Sequence, residues 1–294
     1  MLGSAIGKAL LDRGADVIRL VRRSPVTAEE LTWNPVGDGS IPELEKLEGL
    51  SGVVHLSGAN VAGQRWTAAY KKEMTSSRVD STGILCEALA RLKTPPEVLV
   101  AASATGFYGD RGDEILDEYR PAGTGFFPEL CARWEAASQP AVDAGIRVVH
   151  LRFGIVIGEG GAMARLAPMF KLGLGGQLGN GRQWMSWISE ADAISSVLFA
   201  LDHRSMSGIV NAVAPEPVTN ATFTRELGKA VHRPAFIPAP AFGLRLVFGE
   251  MADEALLAST RVVPKRLIES GFEFAYPTLA QAFAAALGSA ASQG

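Results

Sequence analysis

The sequence predicts an α/β fold built on a doubly wound parallel sheet, and three observations carry that prediction. Short apolar runs of strand length, Gly52–Leu56 (GVVHL), Glu97–Ala102 (EVLVAA) and Gly145–Phe153 (GIRVVHLRF), are separated by stretches of helical periodicity. The first two run directly into small and hydroxyl-bearing residues, Ser57-Gly58-Ala59-Asn60 and Ser103-Ala104-Thr105-Gly106. Ligands of open α/β sheets lie at such strand ends. The third observation is the beginning of the chain. Gly3 and Gly7 open a helical pattern with Ile6, Ala9 and Leu10 on one stripe, Gly14 closes it, and Asp16–Val21 follows as a strand.

That opening reads as a nucleotide-binding βαβ unit with its front cut away. In such a unit a glycine loop lies between a first strand and the helix, whose N-terminal amides hold a pyrophosphate. Only the end of the loop, with Gly3, is present, so the sheet is expected to lack its first strand in this chain. The second strand ends in Arg22 and Arg23, where an Asp or Glu would favour NAD. Arginines there suit a 2′-phosphate and favour NADP(H); they also read as two solvated charges at a strand end.

Composition narrows the function classes. The 294 residues, 47% of them hydrophobic, suffice for one large domain or for a dinucleotide domain with a smaller partner. A net charge of −3 gives no basic excess, so no nucleic-acid partner is expected. Cys86 and Cys131 form no paired spacing and the four histidines are scattered, which points to neither a disulfide framework nor a metal site. No apolar run reaches membrane-spanning length and no leader precedes the domain, so the expectation is a soluble cytoplasmic protein without a membrane partner.

Along the chain, the polar passage Ser24–Gly49 contains a short helical segment, Pro42–Leu47, before the GVVHL strand, in which His55 reads as a core residue. Leu56, Ser57 and Gly58 let a cofactor approach the backbone at the strand's end. Thr67–Leu92 reads as one long helical region; Arg65, Trp66 and Arg78 beside or within it fit either a ligand or helix packing. After the EVLVAA strand, Ala102 and Ser103 sit at a second ligand-facing end. Gly158–Gly181 is glycine-rich around an apolar helical piece, Met163–Leu174, a pattern that suits a lid or a tightly turned structural loop. Arg182, Trp184 and Trp187 follow as candidate pocket residues. Ser189 to Asp192 caps a helix, Ala193–Leu201, and the remainder carries a strand (IVNAVAP), a helix begun near Thr219 or Asn220, and a proline-punctuated linker, PAFIPAPAFG. An Ala-rich tail, Leu279–Gly294, is expected to fray.

Several segments carry a resemblance. RWTAAYKKEMTSSRVDST, SATGFYGDRGDEILDE, ARWEAA, LRFGIVIGEGGAMARLAPMFKLGLGGQLGNGRQWMSWI, NAVAPEPVTN and RVVPKRLIESGFEF, in this order, resemble the epimerase-like family of the extended short-chain dehydrogenase/reductase superfamily. The resemblance implies a Rossmann-type domain over 1–207, with a glycine-rich lid around 158–187, and a C-terminal substrate cap over 208–294. It also implies NADP(H) binding, with Arg152 and Val156 where superfamily members pass the nicotinamide.

Two departures follow from it. The family's first strand and the start of its TGxxGxxG loop are absent. About ten ladder hydrogen bonds at about 1 kcal/mol each rival the ~5 to 15 kcal/mol stability of a whole domain. A natural start upstream of Met1 is therefore expected. The superfamily's Tyr-x-x-x-Lys helix, where lysine lowers the tyrosine pKa, has Phe127 at the tyrosine position and Cys131 at the lysine position. Ser103 and Tyr108 are then the candidate catalytic hydroxyls, with Tyr108 the substitute acid, and Cys131 reads as a small buried residue. The expected cofactor contacts are Gly3, Arg22, Arg23, Leu56, Ser57, Gly58, Ala102, Arg152 and Val156. Arg65, Trp66, Arg182, Trp184 and Trp187 are expected to meet substrate. The expected activity is NADP(H)-dependent oxidoreduction or epimerisation of a small polar molecule, the rival being a non-catalytic NADP(H) sensor or scaffold. The expected partner is that small-molecule substrate, with a homodimer left open.

Overall fold

A computed structural model describes residues 2–35 and 39–288. Met1 and the end of the Ala-rich tail, 289–294, lie outside the described residues. In chain order the elements are α1 (Leu2–Asp12), β1 (Arg19–Val21), β2 (Glu30–Thr32), β3 (Gly52–His55), α2 (Ala68–Thr75), α3 (Ser81–Ala90), β4 (Val98–Ala104), β5 (Ile115–Leu116) and α4 (Phe126–Ala136). They continue with α5 (Gln139–Asp143), β6 (Arg147–Phe153), β7 (Ile155–Ile157), α6 (Gly161–Lys171), β8 (Trp184–Met185), β9 (Trp187–Ser189) and α7 (Glu190–Asp202). Last come β10 (Gly208–Ala212), β11 (Val218–Thr219), α8 (Asn220–Ala230), α9 (Ala241–Phe248), β12 (Arg261–Val262), α10 (Lys265–Glu269) and α11 (Leu279–Gly288).

The main sheet is parallel, in the order β10-β6-β4-β3, and β1 pairs in parallel with β2 as a separate two-stranded piece. Among the described residues no ladder joins β1 to β3, which is where the expected sheet lacks its first strand. Alternation along the strands divides the main sheet into two faces. Val98, Val100, Val149, Leu151, Val210 and Ala212 pack against Ile6 of α1 and Ala193, Val197 and Ala200 of α7. Leu99, Ala101 and Val148 pack on the other side against Leu85, Cys86 and Leu89 of α3 and Ala141 of α5. Helices on both faces explain why these strands carry apolar side chains on both of their faces.

Local signals account for the helix ends. Gly14 adopts φ 78° after α1, Ser189 accepts the Asp192 amide at the start of α7, and Thr219 does the same for Thr222 at the start of α8. The Thr67–Leu92 region is one helical run interrupted by a π turn, Ser76–Asp80, which joins α2 to α3. At the C-terminal side α6, α8 and α11 enclose a smaller apolar cluster around Trp187, Phe223 and Phe283. The expected boundary after residue 207 needs correction. β10 begins at Gly208 and is an edge strand of the main sheet, hydrogen-bonded along β6, so the sheet runs on to Ala212.

Candidate functional site

Strand register builds one polar row. Ser103 of β4 lies beside Arg152 of β6, and Arg152 lies beside Asn211 of β10, all at the carboxyl ends of parallel strands on one face. Helix α4 and the turn after β4 bring Glu135, Phe107 and Tyr108 over this row. Arg152 is 2% exposed and donates from Nε and Nη2 to the two Glu135 oxygens, both at 2.7 Å. Its third nitrogen, Nη1, donates to the Tyr108 hydroxyl at 3.0 Å, and its guanidinium lies 3.3 Å from the Phe107 ring centroid. Tyr108 in turn donates to Asn211 Oδ1 at 2.7 Å, and Ser103 Oγ donates to Glu135 Oε1 at 2.6 Å.

This network brings the two predicted catalytic hydroxyls together and separates their roles. Tyr108 is fully buried with both hydroxyl functions engaged, and burial pushes its pKa up to about 12. A phenol so placed is a strut, which corrects the expectation of a substitute acid. Arg152 has all three nitrogens committed to protein groups, which corrects its assignment to the cofactor. Phe127 and Cys131 stand one turn apart on α4, facing Trp66, Tyr70, Met74 and Met251. Burial pushes the Cys131 thiol up to about 12 and leaves it inert, as the sequence suggested.

The cofactor candidates fall into two groups. Gly3 faces β3, where a side chain on it would meet Leu56 Cδ1 at 3.9 Å, so the first turn of α1 and the Leu56-Ser57-Gly58 turn adjoin. Arg22 is exposed, whereas Arg23 is tied to Glu30 through Nη1 at 2.8 Å and Nη2 at 2.7 Å. The hydrogen bond from Arg23 holds Glu30 below the usual carboxylate range. Ala102 is buried in β4 next to Ser103, and Val156 is half-buried in β7.

Arg78 is one of three residues, with Arg65 and Trp66, that the sequence reading left open between ligand and packing. It is 6% exposed, sits in the π turn, and among the described residues pairs with no carboxylate. Its nitrogens donate to the carbonyls of Ala59 (2.8 Å) and Met74 (3.3 Å), while Nε has no partner. A Cβ on Gly58 would come within 3.0 Å of this guanidinium. A buried cation with a free donor, beside a glycine turn at a strand's carboxyl end, fits an anionic group such as a dinucleotide pyrophosphate.

The substrate candidates are not gathered into one pocket. Trp66 is buried, donates to the Val61 carbonyl at 2.8 Å, and meets Phe126 and Phe127 edge-on beneath the cap residues Phe248 and Met251; Arg65 is exposed beside Gly249. Trp187 is 1% exposed in the cap cluster, donating to the Glu216 carbonyl, which corrects it to a core residue. Trp184 donates to Asp113 at 2.7 Å under the Arg261 guanidinium, and Arg182 is exposed. The glycine-rich stretch buries Met163 and Phe170 of α6 against the cap cluster.

Residues 1–212 match the NAD dependent epimerase/dehydratase family, and residues 239–286 match a domain of unknown function, DUF1731. The chain belongs to the NAD dependent epimerase/dehydratase family. An epimerase family protein of Mycobacterium tuberculosis is 42% identical over 283 residues, 96% of this chain and 93% of that one. The human epimerase family protein SDR39U1 is 34% identical over 96% of this chain and 94% of its own length. The crystal structure of human SDR39U1 (isoform 2) with NADPH superposes with a TM-score of 0.90 at 31% identity, over 98% of this chain and 96% of that one. A nucleoside-diphosphate sugar epimerase from Corynebacterium glutamicum gives a TM-score of 0.80 at 34% identity, covering 98% of this chain and 56% of that one. This family member has no helix among its described residues that is long and apolar enough to cross a membrane, and no His/Cys/Asp/Glu group there that could hold a metal.

Proposed function

We propose that this chain is an NADP(H)-dependent oxidoreductase or epimerase of a small polar alcohol or carbonyl, in which a serine and a glutamate stand in for the absent tyrosine and lysine. Family membership and the NADPH in the human relative's structure support the cofactor class, and Arg22 at the end of β1 supports the phosphorylated form. Arg78, Gly3 and the Leu56-Ser57-Gly58 turn are the residues that would hold it. The bound cofactor supplies or accepts the hydride.

The observation that carries the catalytic reading is the 2.6 Å hydrogen bond from Ser103 to Glu135. On oxidation of an alcohol, Ser103 Oγ takes the substrate hydroxyl proton while its own proton passes to Glu135 Oε1. Reduction of a carbonyl runs the same two transfers in reverse, and epimerisation runs them in both directions through a transient ketone. Arg152, bonded to both Glu135 oxygens, keeps the carboxylate aimed at Ser103.

The second reading, a non-catalytic NADP(H) sensor or scaffold, is favoured by Phe127 and Cys131, which leave α4 without the superfamily's tyrosine–lysine pair. Calorimetric titration with NADPH and NADH, followed by a screen of small polar carbonyls and alcohols by nicotinamide absorbance, separates the two. NADPH binding with turnover that disappears in Ser103→Ala at unchanged NADPH affinity supports the enzyme. NADPH binding without turnover across the screen supports the sensor, and failure to bind either nucleotide defeats both.

A further inference from the structure

More than half of the large apolar side chains that stand strongly into solvent among the described residues come from two short segments, 169–174 and 236–247. Leu172, Phe236, Phe242 and Leu246 are each 74–76% exposed. The two segments are one surface: Ile237 and Ala239 donate to the carbonyls of Gly175 and Gln177 at 3.2 and 2.9 Å, and Gly179 donates back to Ala239 at 2.8 Å. Helix α9 is turned inside out, burying Leu244 while Phe242 and Leu246, one turn apart, face water. Solvent-facing apolar area on this scale marks an interaction surface.

The border of this surface is basic. Arg225, Lys229, His232 and Arg233 line a hollow of about 490 Å³ where α8 ends. Arg233 Nε donates to the Lys171 carbonyl at 3.1 Å, tying the hollow to the first apolar segment. A second hollow of about 290 Å³, lined by both Arg225 and Phe236, joins it to the other segment. Glu226, paired with Arg225 and Lys229, offsets only part of the charge.

We propose that this face docks on an anionic phospholipid surface. Phe236, Phe242, Leu246 and Leu172 enter the headgroup boundary, and Arg225, Lys229 and Arg233 meet lipid phosphates. Exposed apolar side chains bordered by Lys and Arg are the chemistry of interfacial membrane binding. A second copy presenting the same face would bring its basic border into the contact, where like charges repel. The expectation of no membrane partner rests on the absence of a spanning run, and a face assembled from separated segments leaves no such run in a sequence. The proposal stands apart from the reading of the nucleotide site.

The test is co-sedimentation of the whole chain with vesicles of phosphatidylcholine alone and of phosphatidylcholine with phosphatidylglycerol, with light scattering on the free protein. The wild type pellets with the anionic vesicles, stays in solution with the neutral ones, and is released at ~1 M salt, where screening extends only ~3 Å. Phe242→Asp with Leu246→Asp abolishes pelleting, and Arg225→Gln with Lys229→Gln and Arg233→Gln weakens it about a hundred-fold, from about five-fold per charge. All five side chains are solvent-exposed, so circular dichroism and melting should match the wild type. A wild type that stays in solution with anionic vesicles, or pelleting indifferent to the Phe242/Leu246 variant, overturns the proposal. So does a wild-type dimer that this variant dissolves, which hands the face to a second copy.

Discussion

Arg152, buried and bonded through three nitrogens, fixes the electrostatics of the polar row, and its neighbours differ sharply in what their removal costs. Glu135→Gln takes away its ionic partner and leaves a buried charge uncompensated, which is expected to cost about 3 to 5 kcal/mol in denaturant unfolding. Tyr108→Phe leaves Arg152 Nη1 and Asn211 Oδ1 without the hydroxyl between them, and should cost about 1 to 3 kcal/mol. A strut predicts that Tyr108→Phe retains NADPH affinity and any turnover measured at permissive temperature; selective loss of turnover in a fully folded Tyr108→Phe protein would restore it as the acid. His55 and His150 lie on the same sheet face, nearer its core, and burial lowers both pKa values from 6.5 to about 4. Unfolding lets both imidazoles take a proton that the folded protein refuses, so their contribution is complete above pH ~6.5 and is lost as pH falls toward ~4. Each adds a slope of up to about 1.4 kcal/mol per pH unit across that window. Unfolding curves at stepped pH should show the fall, and a flat profile between those values would contradict the buried neutral histidines.

Helix α4 shows what a sequence can and cannot disclose about an element. Its place was legible through the resemblance, whose tyrosine–lysine helix falls on Phe127 and Cys131, both inside the observed Phe126–Ala136. Its cap was not. The N-terminal residue Gly125 has no side chain to offer, and the amides of Phe126 and Phe127 instead donate to Glu254 at 3.1 and 2.7 Å. That carboxylate arrives from the C-terminal region, 128 positions away from Phe126, and nothing local to either residue advertises the pairing. Glu254→Ala should therefore behave as loss of a helix cap, costing about 0.5 to 2 kcal/mol, while Glu254→Gln recovers part of it through its amide oxygen. Equal destabilisation by both variants would mean that the carboxylate's charge, not its acceptors, holds the helix. The same reasoning covers the π turn at Arg78. Residue periodicity across Thr67–Leu92 gave one helix correctly, but a single extra residue in the turn shifts no apolar position enough to be read, so the buried guanidinium stayed ambiguous. Trp187 failed for a related reason: an aromatic beside glycines reads as pocket lining until Phe223 and Phe283, from distant helices, are seen to enclose it.

At the scale of the molecule, the layered architecture was legible because strands covered by helices on two faces carry apolar residues on both, and the position of the gap in the sheet followed from a βαβ pattern that opens on its helix. What binds the two pieces together was not legible, since it is tertiary. The β1–β2 pair has a single three-residue ladder and reaches the rest through Leu31 and Trp33 in the cluster around Leu85 and Leu89, while α1 rests on α7 and the opposite face through Ile6. β4 and β6, by contrast, are bonded on both sides and share a seven-residue register. Local opening free energies should follow that difference, with the β1–β2 amides exchanging through partial opening and the β4 and β6 amides only with global unfolding. Hydrogen exchange followed by mass spectrometry reads this directly. A dinucleotide held between the first turn of α1 and the Leu56-Ser57-Gly58 turn would cross the gap, so NADPH should slow exchange in α1 and 56–60 together. At a free concentration of ~100 times the dissociation constant, it should also add about 2.7 kcal/mol to global stability. Protection confined to one side of the gap would mean that the ligand sits on a single piece, and Arg78 and Gly3 would then no longer belong to one site.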